Sequence, residues 1–220
     1  MESPVRITRM QETGRVFRIF MSDREEPILV DPLIVARHRL KEGIVLTPPQ
    51  VVDLVREAAL SVCDREVARL LALRPHAVGE MRLKLARKQF EPDIVSATLR
   101  QYEQRGLLDD AHVAMTLVRI ALERHPAGRN YLIAVLRRKM IARELAEQTV
   151  DLALGDRDEN ELAYAALSQR KRALFSSGQI EVETVRRKAY TFLSRRGIGY
   201  AAAKAAVERL LNEREKTDPS

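Results

Sequence analysis

The sequence predicts a mainly α-helical protein: three tandem three-helix repeats forming an elongated curved array, preceded by a small β-rich N-terminal appendage. Three observations predict it. The first is a recurring segment. Leu85-Ala86-Arg87-Lys88-Gln89-Phe90 returns as Leu136-Arg137-Arg138-Lys139-Met140-Ile141 and again as Leu193-Ser194-Arg195-Arg196-Gly197-Ile198. Each copy has a leucine, a pair of cations beginning two residues later, one variable residue and an apolar residue. Each is followed in the same register by apolar anchors, Ile94 and Leu99, Leu145 and Val150, Ala202 and Val207. The second is the period: the copies lie roughly 51 and 57 residues apart, longer than the usual two-helix solenoid unit, so about three helices fill each one. The third is composition. There is no Trp, aromatics make up 5% of the chain, and abundant Ala, Leu and Arg favour helix.

Residues 1–46 differ in texture. Val5 to Thr8, Arg15 to Met21 and Glu26 to Val30 are short runs rich in Val, Ile and Phe, broken by Thr13-Gly14 and Ser22-Asp23-Arg24-Glu25, which predicts a small antiparallel meander. Asp31 then caps a short helix with Pro32 at its first position and Gly43 past its end. So few strands bury little by themselves, so the appendage is expected to lean on the next helix.

That helix belongs to residues 47–110, the bridging helix plus the first repeat. Thr47-Pro48-Pro49-Gln50 is a start signal, a Thr N-cap with Gln completing a capping box. An apolar pattern of Val51, Val52, Val55, Ala59, Val62, Val67 and Leu70 runs to about Leu73, where Arg74-Pro75 interrupts it. A helix from about Ala77 to Lys88 follows, then one opened by Glu91-Pro92 and closed at Gly106. Residues 111–155 are the second repeat. Asp109 or Asp110 caps its first helix, whose stripe is Val113, Leu117 and Ile120, and helices over about 129–139 and 143–154 complete it. Residues 156–211 are the third repeat, with a capping-box spacing at Asp158 and Glu161, a helix over 159–173, a loop at Ser176-Ser177-Gly178, and helices over 182–196 and 200–211. Residues 212–220 read as a flexible tail.

The chain of 220 residues carries 38 basic against 31 acidic residues, a net charge of +7, and this balance favours an anionic partner such as nucleic acid or an acidic protein surface. Cys63 is the single cysteine, which excludes an internal disulfide and fits a reduced, cytoplasmic setting. No apolar run is long enough to cross a bilayer, and the residues after Met1 do not read as a signal segment.

The residues from Arg65 to Leu211 resemble the RecX regulators of the bacterial recombinase RecA. The resemblance is carried by Glu80-Met81 followed by Lys84-Leu85 and Arg87-Lys88, by Gly106-Leu107-Leu108-Asp109-Asp110, which is similar to the family's junction between first and second repeats, and by Leu193 to Ile198. The chain departs from the family at Gln89 and Met140, where glycine is usual, at Val113 in place of Phe, and at His125-Pro126-Ala127-Gly128 in place of a Gly-Pro pair. The resemblance implies a non-enzymatic inhibitor that lodges in the groove of the RecA filament on single-stranded DNA and suppresses ATP hydrolysis and strand exchange, in DNA repair, recombination and the SOS response. A monomer without cofactor is expected. The alternative class is a direct DNA-binding transcriptional regulator of helix-turn-helix type.

The candidate partner- or nucleic-acid-binding residues are the recurrent cations: Arg82, Lys84, Arg87 and Lys88; Arg129, Arg137, Arg138, Lys139 and Arg143; Arg186, Arg187, Lys188, Arg195 and Arg196. In stacked repeats equivalent positions fall along one side, so these residues would form a basic track. The plainer reading is that cations in a last helical turn stabilise its negative end. Between Ala111 and Val150 the basic residues face only Glu123, Glu144 and Glu147. Tyr131, after the basic Arg129-Asn130 turn, is the tyrosine expected to be exposed for stacking. Asp109-Asp110 reads as a helix cap and not a metal pair, the four histidines lack ligand spacing, Cys63 reads as a buried thiol, and no phosphate-binding loop of the GxxxxGK type is present. No catalytic or metal residue is assigned.

Overall fold

The computed structural model describes residues 4–175 and 181–217. It is mainly helical with an N-terminal sheet. Strands β1 (Val5–Thr13), β2 (Val16–Met21), β3 (Ile28–Val30) and β4 (Val45–Leu46) pair antiparallel in the order β3-β2-β1-β4. Thr13 pairs with Val16 across a tight turn whose Gly14 has φ +61°, a conformation glycine adopts without steric cost. The sequence pattern contained no sign of β4, because two residues are too few to show alternation. Helix α1 (Pro32–Arg37) is capped by Asp31, whose carboxylate accepts from Leu33 N–H at 2.9 Å. It ends earlier than its glycine predicts: Arg39, not Gly43, takes the left-handed conformation that closes it, with Leu40 N–H donating to Val35 O.

Helix α2 (Pro48–Leu71) starts at its capping box, where Gln50 Oε1 accepts from Thr47 N–H at 2.8 Å. Its first half covers the sheet: Ile7, Ile19 and Val30 meet Val51, Leu54 and Ala58 in one core. Arg65 reaches back to Arg15 O and Asp31, and Arg37 of α1 and the next residue, His38, both meet Glu57. The second half of α2 packs with α3 (Val78–Arg87) and α4 (Pro92–Gln104) around Cys63, Val67, Met81, Leu85 and Leu99. Burial pushes the Cys63 thiol up and the Tyr102 hydroxyl up to about 12, the latter donating to Asp64 O. Both groups therefore stay protonated at neutral pH.

Helices α5 (Asp110–Arg124), α6 (Arg129–Arg138) and α7 (Arg143–Leu154) pack mutually, as do α8 (Glu159–Ser168), α10 (Val182–Arg195) and α11 (Tyr200–Thr217). Residues 1–109 form one compact unit and residues 110–220 a second. In α5 the buried line is Ala114 and Val118, while Ile120 is exposed. The predicted stripe is rotated by one residue, because α5 packs closely on α7 and small side chains permit that approach. The helix predicted over 159–173 breaks after Ser168 and resumes as α9 (Lys171–Leu174). Ser176-Ser177-Gly178 lies outside the described residues, as do residues 218–220 of the predicted tail. The rest of that tail is helix. Tyr164 donates to Glu213 at 2.6 Å, Arg209 pairs with Glu161 at 2.7 Å, and Arg214 lies over Phe175 at 4.7 Å. These contacts order α11 beyond Leu211, and Glu161 serves them instead of a capping box.

The three recurring segments adopt one geometry. Leu85, Leu136 and Leu193 are all fully buried. Their carbonyls accept the N–H five residues on, from Phe90, Ile141 and Ile198, at 3.3, 3.2 and 3.2 Å. Gln89, Met140 and Gly197 hold φ of +62°, +62° and +69°. This is the Schellman ending, in which a left-handed residue lets the chain fold back and satisfy the last carbonyls. Only the third copy has the glycine that suits it; for Gln89 and Met140 the conformation costs roughly 1 kcal/mol. Gln89→Gly and Met140→Gly are each expected to raise unfolding free energy by about 0.5–1 kcal/mol, measured by chemical denaturation. A loss of stability would show that these side chains hold their turns by other contacts.

Candidate functional site

In the first repeat the predicted cations are largely engaged within the unit. Lys88 pairs with Glu66 at 3.2 Å, Arg82 donates to Ser96 Oγ at 2.9 Å, and Lys84 lies 3.8 Å from Glu80. Arg87 has no ion pair among the described residues. Lys84 also lies 2.7 Å from Nε2 of the buried His76, whose Nδ1 is 2.8 Å from Arg74 O. A carbonyl only accepts, so Nδ1 carries the proton and Nε2 accepts from the ammonium. Burial first, then the Arg74 and Lys84 charges, hold His76 below its usual 6.5, with the Arg74 carbonyl and Glu80 opposing. The folded state therefore binds fewer protons than the unfolded state, and stability falls as pH drops below about 6.5. His76→Gln is expected to flatten that fall when denaturation midpoints at pH 7.5 and pH 5.5 are compared. Equal slopes in the two proteins would show that His76 does not cause it.

In the second repeat Arg129 grips Asp151 through two hydrogen bonds of 2.9 and 3.1 Å, and Arg143 pairs with Glu147 at 2.9 Å. Asp151 lies one residue beyond the window in which the sequence shows an excess of cations. Arg138 donates to Ala134 O at 3.3 Å, while Arg137 and Lys139 have no ion pair among the described residues. Tyr131 is half-buried, its backbone pressed against Gly197, so it does not present the exposed ring expected of it. Among the described residues the exposed aromatic is Tyr200, 74% accessible and stacked on Tyr190 with centroids 5.7 Å apart.

The third repeat brings its cations together. Arg187, Lys188, Arg195 and Arg196 line a groove of about 870 Å³ between α10 and the α8–α9 bend, joined by Arg170, His125 and the apolar Leu174 and Phe192. Among the described residues no carboxylate lines it, and none of the five cations has an ion pair. Two of the guanidinium groups rest on one ring, Arg170 4.9 Å and Arg196 5.1 Å from the Phe192 centroid. Arg186 turns away: it is a neighbouring charge to Tyr190, on the other flank of α10. The sequence reading missed Arg170 and Phe192. The i, i+4 spacing of Phe192 and Arg196 was a visible signal; the bend that delivers Arg170 was not.

The wall of this groove is fixed by contact between repeats. Gly128 N–H, at the start of α6, donates to Arg196 O at the end of α10 at 2.8 Å. An N-terminal donor thus satisfies a C-terminal acceptor and the two helix dipoles meet favourably. At the other end of α6, Arg137 to Lys139 lie about 12 Å further along the helix axis. They do not line the groove.

Comparison with known proteins places this architecture. Residues 66–101 match the family described as "RecX, first three-helix domain". The chain is 30% identical over 145 residues to the regulatory protein RecX of Chlorobaculum tepidum, covering 66% of this chain and 86% of that protein. It is 25% identical over 211 residues to the RecX of Lactobacillus delbrueckii subsp. bulgaricus, covering 96% and 76%. Among solved structures, a crystal structure of regulatory protein RecX superposes with a TM-score of 0.64 at 17% identity, over 93% of this chain and 99% of that one. RecX from Lactobacillus salivarius superposes with a TM-score of 0.60 at 18% identity, over 70% and 97%. These two share the fold.

Proposed function

Because the chain belongs to the RecX family of regulatory proteins, we propose that it inhibits the RecA recombinase, binding in the groove of the RecA–single-stranded DNA filament and suppressing ATP hydrolysis and strand exchange. It does so by binding alone, as a monomer in the cytoplasm, and serves DNA repair and the SOS response through that partner. The observation that supports the reading best is the carboxylate-free basic groove of the third repeat, accompanied by separate cations at the end of α6. A filament repeats its sites along a negatively charged spiral, and several modest contacts engaged together on one chain give avidity that no single contact supplies.

The test is ATP hydrolysis by RecA on single-stranded DNA with this protein added. Hydrolysis slows at substoichiometric amounts; an unchanged rate overturns the reading. Reversing charge at both Arg138 and Lys139 is expected to raise the half-inhibitory concentration about tenfold while the circular dichroism stays helical. Lost helicity would assign those side chains to the fold instead.

A further inference from the structure

We propose that Lys84 is a lysine acylation site, an amine poised by His76 to take an acyl group from a small acyl phosphate without an enzyme. The proposal stands on the first repeat alone and does not depend on the recombinase.

The first argument is the arrangement of three groups. Lys84 Nζ lies 2.7 Å from His76 Nε2, and His76 Nδ1 lies 2.8 Å from Arg74 O. A nucleophile within hydrogen-bond reach of a base, with the base fixed by a third group, is the arrangement that activates side chains for covalent chemistry. The carbonyl keeps the proton on Nδ1, so the Nε2 lone pair faces the amine. His76 is 2% exposed and packing holds it in that orientation, whereas the Lys84 side chain is 33% exposed and open to a reagent. Burial above all, with the Arg74 and Lys84 charges adding to it against Arg74 O and Glu80, keeps the ring neutral at pH 7.

The second argument is the contrast with other lysines. Lys88 pairs with Glu66 at 3.2 Å, and Lys171 lies 3.8 Å from Glu213. A carboxylate, with an ordinary pKa of about 4, takes a proton poorly at neutral pH, whereas an imidazole at about 6.5 is suited to it. The carboxylate near Lys84 is Glu80, 3.8 Å away and gripped by Arg74 through both oxygens. Arg87, three residues on and so a surface neighbour of Lys84 on α3, has no ion pair among the described residues. A guanidinium there suits the dianionic end of an acyl phosphate.

The step balances as follows. The Lys84 ammonium sheds one proton to solvent. The lone pair of the amine attacks the acyl carbon, and the N–H already aimed at Nε2 passes its proton there as the N–C bond forms. The C–O bond breaks with its electron pair on the phosphate oxygen, and the imidazolium gives the proton to the departing phosphate. The product amide has lost the Lys84 charge but keeps an N–H that donates to Nε2, so the fold tolerates it.

The experiment is incubation of the full chain with acetyl phosphate at pH 7.5, each lysine being followed by mass spectrometry of the digest. Lys84 is expected to acetylate at least tenfold faster than Lys139, the internal reference. His76→Gln keeps an acceptor for Lys84 but takes no proton, and is expected to slow Lys84 about tenfold or more with Lys139 unchanged. Arg87→Ala is expected to slow acetyl phosphate several-fold and leave an uncharged acetyl thioester unaffected. In the wild type, the Lys84 rate should fall more steeply than the Lys139 rate between pH 7.5 and pH 5.5, because amine and imidazole both take up protons. That arm decides even where His76→Gln unfolds. Lys84 reacting no faster than Lys139, parallel pH profiles, or a folded His76→Gln protein with an unchanged Lys84 rate each overturn the proposal. Equal slowing of both donors by Arg87→Ala overturns the acyl phosphate as the donor.

Discussion

Gly197→Ala is expected to destabilise the unit of residues 110–220 by about 3–5 kcal/mol, measured by denaturant unfolding followed by circular dichroism. Two independent costs combine there. Gly197 has φ +69°, where a side chain costs about 1–2 kcal/mol. In addition a Cβ at Gly197 would sit 2.2 Å from Tyr131 N and 2.8 Å from Tyr131 Cβ. Backbone cannot move aside as a flexible side chain can, so α6 and α10 must separate, and the Gly128 to Arg196 hydrogen bond is lost with them. The remaining glycines separate the two costs. Gly14, at φ +61° with nothing within 4 Å of a built Cβ, isolates the conformational one, and Gly14→Ala should cost only about 1 kcal/mol. Gly128 isolates the steric one: its φ is −82°, yet a Cβ would lie 2.3 Å from Gly197 O. Gly128→Ala should therefore cost more than Gly14→Ala despite its ordinary backbone. If all three substitutions cost the same, the repeats do not meet backbone to backbone.

The contrast between what was legible and what was not follows from the range of each interaction. The repeats could be read because a buried leucine, a turn and two anchors recur within about 15 residues, the range over which helix periodicity acts. The departures at Gln89 and Met140 might have argued against a common turn. They do not, because fold-back hydrogen bonding to the Leu85 and Leu136 carbonyls and burial of Ile141 outweigh a cost of about 1 kcal/mol. The charge signal was legible as composition and misleading as location. Runs such as Arg186-Arg187-Lys188 look uniform in sequence, yet a helix turns 100° per residue and sends Arg186 to a different flank from its neighbours. Ion pairing was hidden for the same reason: Asp151 comes to Arg129 across α6 and α7, and Glu66 to Lys88 across α2 and α3. The groove depends on the longest-range events, a helix break after Ser168 and a contact between repeats, which no local pattern announces. Tyr131 and Tyr200 make the point with one residue type. Each stands at or near a helix start beside a basic or glycine turn, and only packing against Gly197 decides which is covered.

Replacing each of the three recurring leucines by alanine tests the repeat itself, with an expected loss of about 2–5 kcal/mol per site. Leu85, Leu136 and Leu193 are fully buried, so each substitution removes the same three carbons from a closed core and leaves a cavity. Their carbonyls also anchor the Schellman turns, so a core that relaxes into the cavity strains the turn as well. The losses should divide by unit. Leu85 packs with Met81, Val95 and Leu99 in residues 1–109, whereas Leu193 packs with Val185, Ala189 and Val207 in residues 110–220. Hydrogen exchange read unit by unit should accordingly show Leu85→Ala opening the first unit and leaving amides of the second protected, with Leu136→Ala and Leu193→Ala doing the reverse. Leu85→Ala and Leu193→Ala share no neighbours, so their costs should add to within about 0.5 kcal/mol. One of the three tolerated at under 1 kcal/mol would mean that its segment repeats the letters of the motif without the packing that gives the motif its shape, and the threefold architecture would reduce to two true copies.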